Sequence, residues 1–367
     1  MKKHNPKNER IKRQYLTYLR EAKRYSEATI DAVAKALNRF ESYTKFRDFK
    51  TFRFQQAVAF KKHLAEETSA LSGEKLSKAT LYSTLSILKR FFQWLAWQPG
   101  FKSCLQYADA EYFNLSEKDT RVANARRETP TPTIEQIKRV INGMPSVSEI
   151  ERRDRALIAF TLLTGARDRA IASMKLKHVD VVAGCVFQDA REVRTKFSKT
   201  FTTYFFPVSE EVQKIVDDWV RYLREEKFWS DDDPLFPMTH IVLDNTHQFT
   251  VGGIIRKHWS TATPIRKIFR EAFTKAGLPY FNPHSFRNTL VRLGETVCQN
   301  PEDFKAWSQN LGHEAVLTTF FSYGAVSNRR QQEIIERLRS PKRSISKEAM
   351  ELAKAVAHEL RTSKLEE

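Results

Sequence analysis

The sequence predicts a mainly α-helical protein of two domains, with one small antiparallel β-sheet in the second domain. The 367 residues are enough for two domains of ordinary size. Apolar residues recur at helical spacing near the N-terminus, whereas β-rich segments lie near the middle of the chain. A polar segment that ends in two prolines separates these regions. We therefore predict a helical domain at 1–117, a linker at 118–132, a mixed domain at 133–340 and a tail at 341–367.

Two strong helices define the first domain. After Ser26, which can cap a helix, apolar residues recur at helical spacing as Ile30, Val33, Ala34, Leu37 and Phe40. The segment SKATLYSTLSILKRFFQWL places a second apolar stripe at Leu81, Leu85, Leu88, Phe92 and Leu95. The other faces of this second helix carry Lys78, Lys89 and Arg90. Such charges are usually a solvated face, but they are equally suited to contact phosphates.

The second domain should begin with a helix capped by Thr133, with Gln136 three residues on. The segment GCVFQDAREVRTKFSKTFTTYFFPV has β-rich ends around a basic centre and predicts an antiparallel hairpin or meander. Segment 238–264 gives no clear prediction, and its histidines (His240, His247, His258) lack the spacing of a zinc site. In the tail, an amphipathic helix at 346–361 could dock on a neighbouring subunit or on its own domain.

Composition points to a nucleic acid as the partner. The net charge is +18 and the pI is about 9.7, and residues 1–130 hold 26 Lys and Arg against 14 Asp and Glu. The most apolar run, FFQWLAW, is too short to span a bilayer, and the basic N-terminus has no apolar stretch typical of a secretory signal. Three widely separated cysteines, Cys104, Cys185 and Cys298, suit a reducing cytoplasm. We expect a cytoplasmic protein with no disulfide.

Six residues in five short motifs are similar to the tyrosine recombinase family, also called phage integrases. They are Arg167 in TGAR, Lys196 in RTKFSK, His284 and Arg287 in HSFR, His313 in LGH and Tyr323 in FFSY. Each motif is weak alone, but five in register are specific. The segment TLYSTLSILKRFFQWL is in turn similar to the family's N-terminal core-binding domain.

The chain departs from the family pattern at two positions. Members usually carry an acidic residue three positions after the first Arg, where this chain has Ala170, with Asp168 as a substitute. Asn288 stands where a second His commonly follows the HxxR motif. Neither change removes a reacting group, so we expect the chain to be active.

The resemblance implies a C-shaped clamp around duplex DNA, made of a helical core-binding domain and an integrase-type catalytic domain. Arg167 and Arg287 would neutralise the phosphate in its transition state, with His313 as a further donor. Tyr323 would be the nucleophile, His284 the group that helps to deprotonate it, and Lys196 the general acid. No metal or cofactor is expected. We expect DNA contacts from Lys78, Lys89, Arg90, Arg121, Arg126, Arg127 and Lys199.

The function expected from these observations is that of a site-specific DNA recombinase, specifically the integrase of a mobile element. Its partners would be double-stranded DNA, three further copies of the chain in a synaptic tetramer, and an accessory DNA-bending or directionality protein. The protein would be associated with the nucleoid. The alternatives are a non-catalytic DNA-binding protein of the same fold and a chromosome-dimer resolvase. A metal-dependent nuclease fits poorly, because the acidic cluster SDDDP at 230–234 reads as a solvated turn. The helical module before the catalytic domain also favours a recombinase over a type IB topoisomerase.

Overall fold

A computed structural model describes residues 4–69, 73–125, 130–243 and 248–313. Tyr323, Arg126, Arg127, His247 and the whole of the tail at 341–367 lie outside the described residues. The chain divides into two compact units, Met1–Arg127 and Glu128–Glu367. Each unit has its own hydrophobic core.

The first unit is helical throughout its described regular structure. Its helices are α1 (Pro6–Thr17), α2 (Glu27–Tyr43), α3 (Phe54–Glu66), α4 (Lys78–Ala96) and α5 (Glu117–Asn124). The predicted cap of α2 is confirmed, because the Ser26 side chain accepts a hydrogen bond from the Thr29 amide. All five residues of the predicted α4 stripe are buried. One of them, Phe92, belongs to a cluster of phenylalanines, in which its ring stacks on that of Phe52 with the centroids 3.8 Å apart.

The segment predicted as a linker contains most of a helix that the sequence analysis did not predict. Helix α5 occupies Glu117–Asn124 and has no fully buried residue. It is held instead by its cap, where Ser116 accepts from the Asp119 amide, and by an ion pair of 2.9 Å between Lys78 and Asp119. A helix without an apolar face leaves no hydrophobic periodicity in the sequence. The sequence pattern therefore could not reveal it.

In its described residues, 130–243 and 248–313, the second unit combines helices with two small antiparallel sheets. Its helices are α6 (Ile134–Gly143), α7 (Glu149–Thr164), α8 (Asp168–Ile171), α9 (Glu210–Arg221), α10 (Thr263–Lys275), α11 (Ser285–Val297) and α12 (Pro301–Asn310). Its strands are β1 (Val179–Asp180), β2 (Cys185–Gln188), β3 (Phe201–Tyr204), β4 (Met238–Leu243) and β5 (Phe249–Ile255). Helix α6 begins at the predicted capping box of Thr133 and Gln136. The core lies around α7, of which every residue from Ala156 to Thr164 is buried.

The predicted hairpin is confirmed as strands β2 and β3. They pair in the register Cys185 with Tyr204 through Gln188 with Phe201, and β1 adds a third strand beside β2. The basic centre of the segment forms the turn between them. The segment without a prediction, 238–264, contains the second hairpin, β4–β5. Buried Arg153 of α7 holds this second hairpin by donating to the Pro237 carbonyl and the Thr239 hydroxyl, both at 3.0 Å.

Candidate active site

The first arginine of the site, Arg167, lies just beyond the buried helix α7. That helix ends because Gly165 adopts a left-handed conformation with φ of 58°, which a glycine adopts without steric cost. The Thr164 hydroxyl then accepts a hydrogen bond from the Ala166 amide at 3.1 Å and closes the turn. Arg167 follows in extended conformation as the N-cap residue of α8, with its side chain half-buried. The Thr-Gly turn thus presents Arg167 from a rigid support.

Arg287 is the most deeply placed cation of the site, with only 2% of its surface exposed. Its guanidinium donates to the carbonyl of Gly165 at 2.6 Å and to the carbonyl of Leu311 at 2.5 Å. A buried charge is stable only when it is hydrogen-bonded, and these two carbonyls supply that bonding. Arg287 therefore fastens helix α11 both to the Thr-Gly turn and to the end of α12.

His313 lies 3.0 Å from Arg287, measured between the His313 Nε2 and the Arg287 Nη2 atoms. A guanidinium can only donate, so Nε2 must accept and the ring proton must be on Nδ1. The electrostatics agree, because burial and then the charges of Arg287 and Arg167 lower the pKa of His313 to about 4. His313 is therefore neutral at pH 7 and carries its ring proton on Nδ1.

His284 is the N-cap residue of α11 and reaches the surface. Desolvation by the surrounding protein, followed by the charges of Arg287 and Arg167, lowers its pKa below the usual range. Lys196 acts in the same direction, whereas the Asp168 carboxylate opposes it. A neutral imidazole at the surface of a cationic cluster is able to accept a proton at pH 7.

The two lysines of the predicted hairpin tip lie in the turn between β2 and β3. Lys196 is exposed, and its ammonium lies 4.7 Å from the centre of the Phe197 ring. Lys199 is half-buried, and its charge contributes to lowering the pKa of His313. The Thr195 hydroxyl donates to the Lys199 carbonyl at 2.7 Å and closes the turn. The structure thus brings five of the six predicted catalytic residues, and Lys199 as well, into one electrostatic cluster, while Tyr323 lies outside the described residues.

Asn310 was missed by sequence reasoning, although it connects the hairpin to the histidine segment. Its side-chain oxygen accepts from the Tyr204 amide at 2.7 Å, and its amide donates to the Tyr204 carbonyl at 2.8 Å. The Thr203 hydroxyl donates to the backbone carbonyl of Asn310 at 3.0 Å. Because β3 continues the hairpin and His313 follows α12, these bonds hold the two functional segments in register. No local signal in the sequence points to a pairing so distant along the chain.

The acidic group next to the first arginine has a cationic partner in α10. The Asp168 carboxylate accepts a hydrogen bond of 2.7 Å from the Nε atom of Arg266. Nothing in the sequence pointed to Arg266. Ala170, at the position where the family usually has an acid, is buried in the apolar core. Asn288, which follows Arg287, is half-buried.

Four predicted DNA-contacting residues of the first unit lie in the described part of the chain and take part in surface interactions within it. Lys78 pairs with Asp119, Lys89 with Glu111 at 2.7 Å, and Arg121 with Glu117 at 3.4 Å. Arg90 donates to the Ser86 carbonyl at 3.3 Å. Exposed ion pairs of this kind contribute only about 0–1 kcal/mol each. The cations can therefore exchange these partners for phosphates at little cost, and their contact with DNA stays a prediction.

The described parts of the chain contain neither a candidate metal site nor a candidate membrane span. In residues 4–69, 73–125, 130–243 and 248–313, no three His, Cys, Asp or Glu side chains cluster in a way that could hold a metal ion. Within the same ranges, no helix is both long and apolar enough to cross a membrane.

Comparison with known proteins places these motifs in a family. The model of the phage integrase family matches residues 132–330, and that of the phage integrase N-terminal SAM-like domain matches residues 13–99. The chain is 23% identical to tyrosine recombinase XerC of Lactobacillus delbrueckii subsp. bulgaricus, over 84% of this chain and 92% of the relative. It is 24% identical to tyrosine recombinase XerC of Treponema denticola, over 83% of this chain and 90% of the relative.

Solved structures agree at the level of the fold. A lambda integrase dimer bound to a COC′ core site matches with a TM-score of 0.59 and 12% identity, over 87% of this chain and 96% of that one. The Tn1549 transposon integrase in complex with transposon right-end DNA matches with a TM-score of 0.57 and 16% identity, over 90% and 99%. Since the catalytic-domain model alone spans more than half of the residues, the chain belongs to the phage integrase family of tyrosine recombinases.

Proposed function

We propose that this site-specific DNA recombinase is the integrase of a mobile element and that Tyr323 carries its chemistry. The observation that supports the proposal is the arrangement around Arg287. This buried cation is fixed by two carbonyls, touches the neutral His313, and shares its electrostatic environment with Arg167 and His284. Such a set of preorganised donors suits the negative charge that develops on a phosphate under attack.

In the proposed reaction, the phenolic oxygen of Tyr323 attacks a phosphorus atom of the DNA backbone in line with the departing 5′-oxygen. The new bond is a 3′-phosphotyrosine, and the bond that breaks is the one between phosphorus and the 5′-oxygen. His284 accepts the phenolic proton, and Lys196 gives a proton to the 5′-oxygen. Arg167 and Arg287 stabilise the non-bridging oxygens, and the Nδ1–H of His313 is a further donor. A second 5′-hydroxyl reverses the step and rejoins the strands without an external energy source.

The proposal extends to the assembly. We propose that the helical unit and the catalytic unit clamp duplex DNA, with Arg121, Arg126 and Arg127 near the backbone, and that four copies join two duplexes. An accessory DNA-bending or directionality protein would act on the same DNA, and the protein would work in the cytoplasm at the nucleoid. The tail helix at 346–361 would dock on a neighbouring subunit.

A nicked suicide substrate tests the chemistry, because loss of a short 5′ fragment prevents religation and traps the covalent intermediate. The wild-type protein should give an adduct that survives SDS, and Tyr323→Phe should bind the same DNA without an adduct. A protein that binds the DNA and never forms an adduct would be a non-catalytic DNA-binding protein instead. The duplex itself comes from sequencing the DNA that is recovered with the protein from cells. Recovery of element ends supports integration, whereas recovery of one chromosomal site supports the resolvase alternative.

A further inference from the structure

The tip of the β2–β3 hairpin carries an aromatic side chain to which the chemistry above gives no role. Phe197 lies between the two hairpin lysines, and 77% of its surface is exposed. Exposing a large apolar ring in water is unfavourable, and hairpin tips are ordinarily polar. The backbone that carries the ring is also unusual, since Phe197 and Ser198 both adopt left-handed conformations with φ of 60° and 50°. Two consecutive non-glycine residues in that region are strained, and such strain is concentrated at functional sites.

The charges around the Phe197 ring indicate which kind of ligand it would meet. Lys196 and Lys199 flank it, and both contribute to the cationic cluster through their effect on His284 and His313. The ring therefore lies between two cations and close to the groups proposed to bind the phosphate. This arrangement suits duplex DNA, a polyanion whose stacked bases have flat apolar faces. Its present partner is the Lys196 ammonium at 4.7 Å. An exposed cation–π contact is weak and is readily exchanged for stacking on a base.

We propose that Phe197 is a wedge that inserts between two stacked base pairs next to the cleaved phosphate, while Lys196 and Lys199 contact the backbone on either side. Apolar side chains that enter from the minor groove unstack and kink a base step in this way. The wedge would fix the register of the scissile phosphate against Arg167 and would favour flexible pyrimidine–purine steps. This inference rests on the proposed function for its choice of DNA, but the insertion itself requires no bond breaking.

The chain offers a matched control in Phe228. This side chain is 80% exposed and its backbone is also left-handed, with φ of 53°. It too follows a lysine, but Lys227 is paired with Glu149 at 2.6 Å. The acidic run at 231–233 begins three residues after it, and its carboxylates pair with Lys175, Arg224 and Arg256, the last of which also donates to the Phe228 carbonyl at 3.3 Å. Phe197 and Phe228 therefore match in exposure and backbone, but Phe197 lies between two lysines, whereas the charges around Phe228 form ion pairs of both signs.

Insertion is measured with 2-aminopurine, whose fluorescence rises when it is unstacked. The probe is the recovered duplex with 2-aminopurine placed in turn at each step beside the cleaved phosphate, and the protein is the Tyr323→Phe variant, which binds without cleaving. We expect a several-fold rise at one step. The added change Phe197→Ala should abolish this rise, whereas Phe197→Leu should keep most of it and Phe228→Ala all of it. An equal rise with Phe197→Ala would overturn the proposal.

A rescue experiment in the cleaving enzyme separates a wedge from a merely structural residue. Phe197→Ala should slow adduct formation about tenfold or more on intact duplex, because no inserted ring then offsets the free energy of unstacking the base step. A mismatch at the same step should restore the wild-type rate, since that step is already open. Slow cleavage that the mismatch does not relieve would contradict the wedge. If no protein forms an adduct but the 2-aminopurine rise still depends on Phe197, the proposed chemistry fails and the wedge stands.

Discussion

The Thr-Gly turn supports the whole cationic cluster, so the substitution Gly165→Ala is a stringent test of its geometry. Gly165 has a left-handed backbone, and its carbonyl accepts the 2.6 Å bond from Arg287. A β-carbon added at this position would lie 3.0 Å from a methyl group of Leu290 and 3.0 Å from one of Leu311. Both leucines are buried, with 0% and 1% of their surfaces exposed, so their methyl groups have little free space into which to shift.

The cost of this substitution has two parts. A non-glycine residue in the left-handed region costs about 1–2 kcal/mol. Overpacking a well-packed core costs about 1–3 kcal/mol more. We therefore expect Gly165→Ala to lower the free energy of unfolding of the catalytic unit by about 2–5 kcal/mol. Because Arg287 is bonded to the displaced carbonyl, adduct formation should also fall, by about 10²-fold if the site loses one preorganised donor.

Gly277→Ala separates the two parts. Gly277 has a similar φ of 70°, and no atom of the described residues lies within 4 Å of its added β-carbon apart from its own chain neighbours. It should therefore show the backbone cost alone. The measurement is urea unfolding of the full chain, followed by circular dichroism and by tryptophan fluorescence, together with adduct formation at low urea. A Gly165→Ala protein that is no less stable and no less active than Gly277→Ala would show that the packing around the Thr-Gly turn does not hold the site.

Three further predictions concern protons and metals. His313 has a pKa of about 4 in the folded chain against an ordinary value of 6.5, so between these pH values the unfolded chain binds more protons. The free energy of unfolding should therefore fall as the pH is lowered from about 6.5 to 4, and His313→Gln should flatten this dependence in urea titrations; an unchanged slope would refute the assignment. Lys196→Ala should be severely slow on ordinary DNA but close to wild type when sulfur replaces the bridging 5′-oxygen, because a thiolate leaves unaided; rescue of Lys199→Ala instead would exchange the two roles. Adduct formation should persist in excess EDTA, since arginines carry the charge stabilisation, and activity that returns only with magnesium would favour a metal-dependent reaction.

Much of the fold was predictable because it follows from local patterns. The stripe on α4 and the capping box of α6 each depend on residues within one or two turns of helix, and both are found as predicted. The β2–β3 hairpin is equally local, because its strands flank a single basic turn. The cationic cluster was predicted only through family resemblance, since Gly165 and Arg287 are 122 positions apart.

The features that were missed depend on contacts without a local signature. Helix α5 has no buried apolar residue and is stabilised by its cap and surface ion pairs. Its sequence therefore shows no apolar period. The pairing of Asp168 with Arg266 joins residues 98 positions apart, and that of Asn310 with Tyr204 joins residues 106 positions apart. A single polar residue gives no indication of which distant backbone it will meet. Tertiary structure alone reveals such pairs.

Peptide mapping of the trapped adduct shows whether Tyr323 is the nucleophile that the cationic cluster serves. The adduct is trimmed with nuclease, digested with trypsin and examined by mass spectrometry. Cleavage after Lys305 and Arg329 gives a peptide, 306–329, in which Tyr323 is the one tyrosine. Tyr204 and Tyr280 fall in separate peptides, 200–214 and 276–287. We expect the nucleotide mass on peptide 306–329 alone; a nucleotide on peptide 200–214 or 276–287 would show that another tyrosine is the nucleophile.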